Sequence, residues 1–162
     1  MLEMRGLDKF LSGLKKAKAV PDDMIRMKLS FALPFAHEEI TSKTPVWSGQ
    51  ALRNWVWSVG SPNTSPAKPA MGTMPPGATN SMPLGAEPRR PVNQAEADAS
   101  LARINWQRNP YQQFWFSNNA PDIMGLEYGL LPSPSRSRSP KGMVRVTVQN
   151  LILALEGGAK KR

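Results

Sequence analysis

Glu127 and Tyr128 stand side by side in the run FSNNAPDIMGLEYG, residues 116–129, with Asp122 just upstream. A carboxylate beside a phenol is a pair that acid–base chemistry uses, provided that a nucleophile, a second base or a metal is within reach. The rest of the chain supplies little of that. There is no cysteine, which excludes a thiolate nucleophile, a sulfur-based zinc site and a disulfide scaffold. His37 is the single histidine, so a Ser-His-Asp triad would have to be built on it and a metal site on carboxylates alone. On helical spacing His37 reads as a polar helix residue, with no second ligand or base nearby in sequence. No phosphate-binding glycine loop, GxGxxG, HExxH or calcium loop occurs. The sequence predicts no enzyme, no cofactor and no metal, and leaves Glu127 and Tyr128 to bond backbone or a neighbouring chain.

The elements that hold these residues follow from spacing and breakers. At 162 residues the chain has room for one core plus appendages. Residues 1–20 form an appended N-terminal unit: Leu2, Leu7, Phe10, Leu11 and Leu14 fall roughly on one helical stripe, followed by Lys15, Lys16 and Lys18, which predicts an amphipathic helix docked on its own core or on a neighbouring subunit. A single domain is expected over 21–156. Pro21-Asp22-Asp23 opens its first helix, supported by Met24, Met27, Leu29, Phe31 and Ala32. Pro34 is expected to break or kink that helix, which resumes through Phe35, Ala36, Glu39 and Ile40 and ends at Thr44-Pro45.

WVWSVG (55–60) and YQQFWFSN (111–118) are the strands, with Trp55, Trp57, Phe114 and Phe116 as expected core anchors. MGLEYGLL (124–131) is a candidate edge strand. Between the strands, NQAEADASLARINW reads as a helix with Asn93 as its cap. Val144, Val148, Leu151, Ile152 and Leu155 repeat at helical spacing, stopped by Gly157-Gly158, with a basic tail over 157–162. The fold class that results is α+β: a small antiparallel sheet packed by helices, with an N-terminal helix and a long proline-rich extended arm.

That arm, 61–92, holds eight prolines and three glycines and no aromatic residue. It cannot bury enough apolar surface to offset its ordering entropy, so it is expected to lie along a neighbouring chain. Met71, Met74, Met82, Arg89 and Arg90, together with Arg136 and Arg138 of SPSRSRSPKG, are the candidate subunit-interface residues. The excess of 21 Lys and Arg over 12 Asp and Glu, a net charge of +9, points to a polyanion or to an acidic protein surface as partner. No apolar run is long enough for a membrane span and the first residues lack the uninterrupted apolar core of a signal peptide, so a soluble protein used without export is expected.

Two spaced motifs are more specific. Thr44, Pro45, Val46, Gly49, Leu52, Arg53, Asn54 and Trp55 in TPVWSGQALRNW, and Asn118, Asn119, Ala120, Pro121, Leu126, Glu127, Tyr128 and Gly129 in NNAPDIMGLEYG, are followed by a C-terminal helix. Over roughly 22–156 this pattern resembles the tail-completion or neck proteins of tailed bacteriophages. It departs at Trp47 and Ser48, where the family usually has Asp and Thr, and in its proline-rich insert. The resemblance implies a structural virion protein, a ring of roughly six or twelve copies closed by cyclic symmetry. That ring joins the portal side to the tail at the head-tail junction, with DNA passing through its lumen without sequence-specific binding. It is assembled in the host cytoplasm and resides in the virion. A tail terminator or minor tail protein is the alternative within the virion, and a basic nucleic-acid-binding protein the alternative outside it. For the ring, most of Lys15, Lys16, Lys18, Arg89, Arg90, Lys160, Lys161 and Arg162 are expected on outer or intersubunit surfaces.

Overall fold

The computed structural model describes residues 21–72, 87–132 and 137–157. The N-terminal segment, the basic tail after Gly157, and Met74, Met82 and Arg136 lie outside the described residues. Helix α1 spans Asp22–Lys43, a single turn α2 spans Gln50–Arg53, and strand β1 spans Trp55–Val59. Helix α3 (Arg90–Ala102), strand β2 (Phe114–Asn118), the short helix α4 (Ile123–Glu127) and helix α5 (Val144–Gly157) follow. The architecture is α+β, a two-stranded antiparallel sheet packed against helices.

Alternation in both strands sets the core. The register pairs Trp57 with Phe116 and Trp55 with Asn118, so Trp55, Trp57, Phe114 and Phe116 share one face, while Trp115, opposite Ser58, lies on the other. Trp57 stacks on Phe116 at 4.4 Å between centroids, and Trp55 lies 5.0 Å from the same ring. Trp55, Trp57, Phe114 and Phe116 are all buried, as their alternation predicts, and meet Ile25, Leu29, Leu33, Ala36 and Ile40 of α1 in one apolar cluster. The free edge of β1 is closed by α3, where the Ser100 hydroxyl accepts the Trp57 backbone N–H at 2.9 Å. An edge amide that would otherwise invite another strand is thereby satisfied within the chain.

Several expectations change. Helix α1 runs through Pro34 without a break. Pro34 removes the N–H that would bond the Ser30 carbonyl, but both residues are exposed, so water can satisfy that oxygen. The stripe of α1 that enters the core is Ile25, Leu29, Leu33, Ala36 and Ile40, whereas Met24, Met27 and Phe31 are exposed. Asn93 is not a cap: α3 begins at Arg90 and Asn93 is fully buried within it. In place of an edge strand, 123–127 is helical. Asn118 Oδ1 accepts the Ala120 N–H, the Ala120 carbonyl accepts that of Ile123, and Gly129 at φ +67° ends the turn. On α5 Val144, Val148 and Leu151 of the expected stripe face the core, joined by Thr147, whereas Ile152 is exposed.

The proline-rich arm is also held differently over its described part. Residues 61–72 run extended along their own chain, with side-chain amides as their bonding partners. Residues 87–92, the arm's end, form a turn and the first residues of α3, and 73–86 lies outside the described residues.

Candidate functional site

The two motifs build three polar clamps. The first is centred on Glu127, which α4 delivers to the start of α5. Met143 and Val144 N–H donate to its Oε2 at 2.7 and 2.9 Å, and Arg145 N–H donates to Oε1 at 3.0 Å. The first amides of a helix have no partner of their own, and the positive end of its dipole favours an anion. Met143 offers no capping oxygen, and Glu127, 16 residues upstream, replaces it. Arg145 closes the clamp: its Nε donates to Oε1 at 3.2 Å, its Nη2 to the Glu127 carbonyl at 2.7 Å, and its guanidinium lies 4.9 Å from the centre of the Tyr128 ring. Gly142 at φ +83° permits the approach, since a Cβ there would sit 2.6 Å from the Glu127 carbonyl oxygen and Oε1.

A second clamp finishes α1. Thr44 Oγ1 donates to the Ile40 carbonyl at 2.7 Å and accepts the Trp55 indole N–H at 2.9 Å, tying the end of the helix to the first strand. Arg90, buried, donates to the carbonyls of Thr41 and Thr44 at 2.7 and 2.8 Å, and Ser139 donates to that of Lys43 at 2.6 Å. A cation at a helix C-terminus also meets the negative end of the dipole. Glu87 balances Arg90 at 2.9 Å and lies 3.5 Å from Arg138. Arg90 therefore faces inward and not toward an outer or intersubunit surface: it is the group that the last turn of α1 needs.

Asparagines make the third clamp. The amide of Asn54 accepts the Lys68 N–H at 2.7 Å and donates to the Lys68 carbonyl at 2.8 Å. Asn93 treats Met71 in the same way at 2.8 and 2.9 Å. Each side-chain amide thus stands in for the neighbouring strand that an extended segment lacks. Asn119 donates to the Asn63 and Ser65 carbonyls, Ser117 Oγ accepts the Asn63 N–H, and Arg53 reaches the Pro69 carbonyl. Asn118 donates to the Ala51 carbonyl at 2.7 Å and joins the two motifs directly. Gly49, at φ +96°, lets α2 pass Asn93; a Cβ there would lie 2.3 Å from its Nδ2. Met71 is thus pinned by its backbone to its own chain while its side chain stays exposed.

His37 is also consumed. The Trp57 indole N–H can only donate, so His37 Nδ1 accepts it at 3.2 Å and Nε2 carries the ring proton toward Asp98 at 2.8 Å. Neither ring nitrogen is left for a substrate, just as both oxygens of Glu127 are taken by four N–H donors. No group of three or more metal-binding side chains occurs among the described residues.

Of the remaining motif residues, Val46, Leu52 and Ala120 are buried, Pro45, Arg53 and Leu126 are half-buried, and Pro121 and Tyr128 are exposed. Arg89 bonds the Ser48 carbonyl and Arg138 faces Glu87. Sequence reasoning missed Asn93, Arg145, Ser139 and Asp98 as participants. A glycine followed by an apolar residue at a helix start, with no capping side chain, is the signal that Gly142-Met143 offered for a remote cap. No protein-family model, curated protein or solved structure matches the chain. No helix among the described residues is long and apolar enough to cross a membrane.

Proposed function

We propose that the chain is a structural virion protein of a tailed bacteriophage, a neck or tail-completion subunit that forms a ring between portal and tail through which DNA passes. The observation that carries this reading is the division of labour among the side chains. The polar motif residues Thr44, Arg53, Asn54, Asn118, Asn119 and Glu127 are engaged in fixing loops and helix ends. Large apolar residues stay uncovered: Trp47 is 55%, Tyr128 53%, Leu130 54% and Leu153 67% exposed. Large aromatic and aliphatic side chains of this kind are what an assembling subunit places at the core of its contacts. A fixed scaffold with apolar exits suits a part that must join the same neighbours repeatedly, and the resemblance of both motifs to neck proteins supplies the setting. The role is assembly, not catalysis.

A salt titration tests the reading. Ring assembly through apolar contacts survives added salt, whereas binding driven by phosphate contacts falls log-linearly with it. Self-association that persists from low to high salt, with weak DNA binding throughout, is the expected result. Tight DNA binding by a monomer, lost steeply with salt, would replace the ring with a nucleic-acid-binding role.

A further inference from the structure

Two helices carry an exposed apolar strip with an opposite charge at each end. On α1, on the side turned away from Ile25, Leu29, Leu33, Ala36 and Ile40, Met27 is 60% and Phe31 45% exposed, and the Phe31 and Phe35 rings stack at 5.3 Å between centroids. Lys28 and Glu38 bracket these rings. On α5, on the side turned away from Val144, Thr147 and Leu151, Gln149, Ile152 and Leu153 are exposed, and Arg145 and Glu156 bracket them. Apolar anchors repeated at this spacing are what one helix offers to another in recognition between chains.

We propose that the outer strip of α1 in one copy packs antiparallel on the outer strip of α5 in the next copy, and that this is a contact between neighbouring subunits of the ring. The inference rests on the ring reading: a cyclic assembly needs two unlike faces that fit each other, whereas a face that fits only itself closes a dimer. Spacing supplies the first argument. Phe31, Phe35 and Glu38 lie 3, 7 and 10 residues after Lys28, and Leu153, Gln149 and Arg145 lie 3, 7 and 11 residues before Glu156. Both strips are therefore roughly 15–17 Å long as helix. One antiparallel register brings Lys28 to Glu156, Phe31 to Leu153, Phe35 to Gln149 and Glu38 to Arg145.

Charge is the second argument. Opposite charges meet at both ends of that register, while a parallel alignment would set Lys28 against Arg145 and Glu38 against Glu156, a like-charge juxtaposition that rejects it. Among the described residues the side chains of Lys28, Glu38 and Glu156 form no ion pair. Arg145 donates to Glu127 from Nε and Nη2, which leaves Nη1 of a half-exposed side chain for the Glu38 carboxylate of the neighbour. The clamp at the start of α5 thus fixes one end of the contact before a partner arrives, which lowers the ordering cost of an arginine at an interface.

The chain has no cysteine, so introduced thiols report without background. Full-length Phe31→Cys and Leu153→Cys chains are mixed before assembly, concentrated together and oxidised, and the mass of the parent chain is measured over the same concentrations. Covalent heterodimers are expected to form at least about tenfold faster than from Met27→Cys mixed with Gln149→Cys, which lies about two turns out of register, because a disulfide closes only across a short Cα separation. Met27→Cys mixed with Glu156→Cys, in the same register, repeats the test where the first pair folds poorly. Covalent dimers formed as fast by Phe31→Cys alone or Leu153→Cys alone would overturn the proposal in favour of a face that pairs with itself. A ring by mass without a disulfide from the in-register pairs would overturn it too and leave the ring reading standing, whereas a parent chain monomeric at every concentration would remove both.

Discussion

At the start of α5 four N–H donors converge on one carboxylate, whereas on the outer side of α1 the side chains of Met27 and Phe31 are left open. The contrast separates two kinds of sequence feature. Around the motifs, polar residues were selected for a partner at a fixed distance, and each loop is held by a side chain remote in sequence. On the outer face, Met27 and Phe31, apolar residues at helical spacing, stay exposed among the described residues. The first region explains why the chain adopts one shape; the second is where it can meet something else. Changes in the clamps should therefore act on stability, and changes at uncovered residues on association.

The largest loss is expected for Glu127→Ala. It leaves the buried first amides of α5, and the half-exposed Arg145 guanidinium, without their acceptor, and losing charge-assisted hydrogen bonds to a buried carboxylate costs about 1.5–3 kcal/mol. Denaturant unfolding should show it, with Glu127→Gln retaining part of the stability because an amide oxygen still accepts. An unchanged midpoint for Glu127→Ala would mean that α5 is not held by this cap.

Next comes the asparagine clamp. Asn93→Ala leaves the Met71 amide and carbonyl without their partner and should cost about 1–3 kcal/mol. Limited proteolysis should then cut more readily within 61–72. Gly49→Ala acts on the same place by crowding Asn93 from a left-handed backbone and belongs in the same range, about 1–3 kcal/mol. Parental stability and protease resistance in both variants would show that the arm is held by something other than these amides.

A smaller and pH-dependent effect is expected at Glu39. Hydrogen bonds from Lys43, and then from Asn150 of α5, hold its carboxyl below the ordinary carboxylate range. A carboxyl lowered in the folded state contributes stability that is present above the unfolded value, near pH 4.5, and is lost as pH falls through the folded one. For so accessible a pair the contribution is about 0–1 kcal/mol. Glu39→Gln should flatten that part of the acid limb of the stability–pH curve; an acid limb identical to the parent's would remove Glu39 from the account.

The smallest change in stability is expected at Trp47. It is 55% exposed, and Trp47→Ser should stay within about 0.5 kcal/mol of the parent. Its effect should appear as weaker self-association in sedimentation, and a Trp47→Ser chain that unfolds early would place Trp47 in the fold's own support.

The same contrast explains what the sequence revealed. Strand alternation made Trp55, Trp57, Phe114 and Phe116 legible as core, because the period of a strand is a local property. The α+β class and the helical choice for 144–157 followed from equally local spacing. That Pro34 would not break α1 was not legible, because the cost of a helical proline depends on whether water reaches the freed carbonyl, which only the fold decides. Asn93 looked like a cap because a capping asparagine and a buried one are the same residue type; its partner, Met71, is 22 positions away. His37 offered no partner nearby because Trp57 and Asp98 are 20 and 61 positions distant. Glu127 was correctly expected to bond backbone, yet which backbone it bonds depends on α4, which the glycines of MGLEYG hid behind an apparent strand. That residues 61–72 of the arm are held by their own chain was not legible, because composition shows only that the arm lacks a core, not that asparagines elsewhere supply hydrogen bonds to this part of it.

The central claim, that this is a ring-forming neck subunit, is tested most directly by imaging the purified full-length chain together with its mass in solution over rising concentration. The account predicts a closed ring of roughly six or twelve copies with a central opening, the arrangement that a head-to-tail contact gives when its rotation closes. A chain that remains monomeric throughout, or that forms open filaments or coats DNA in place of closing on itself, would contradict it.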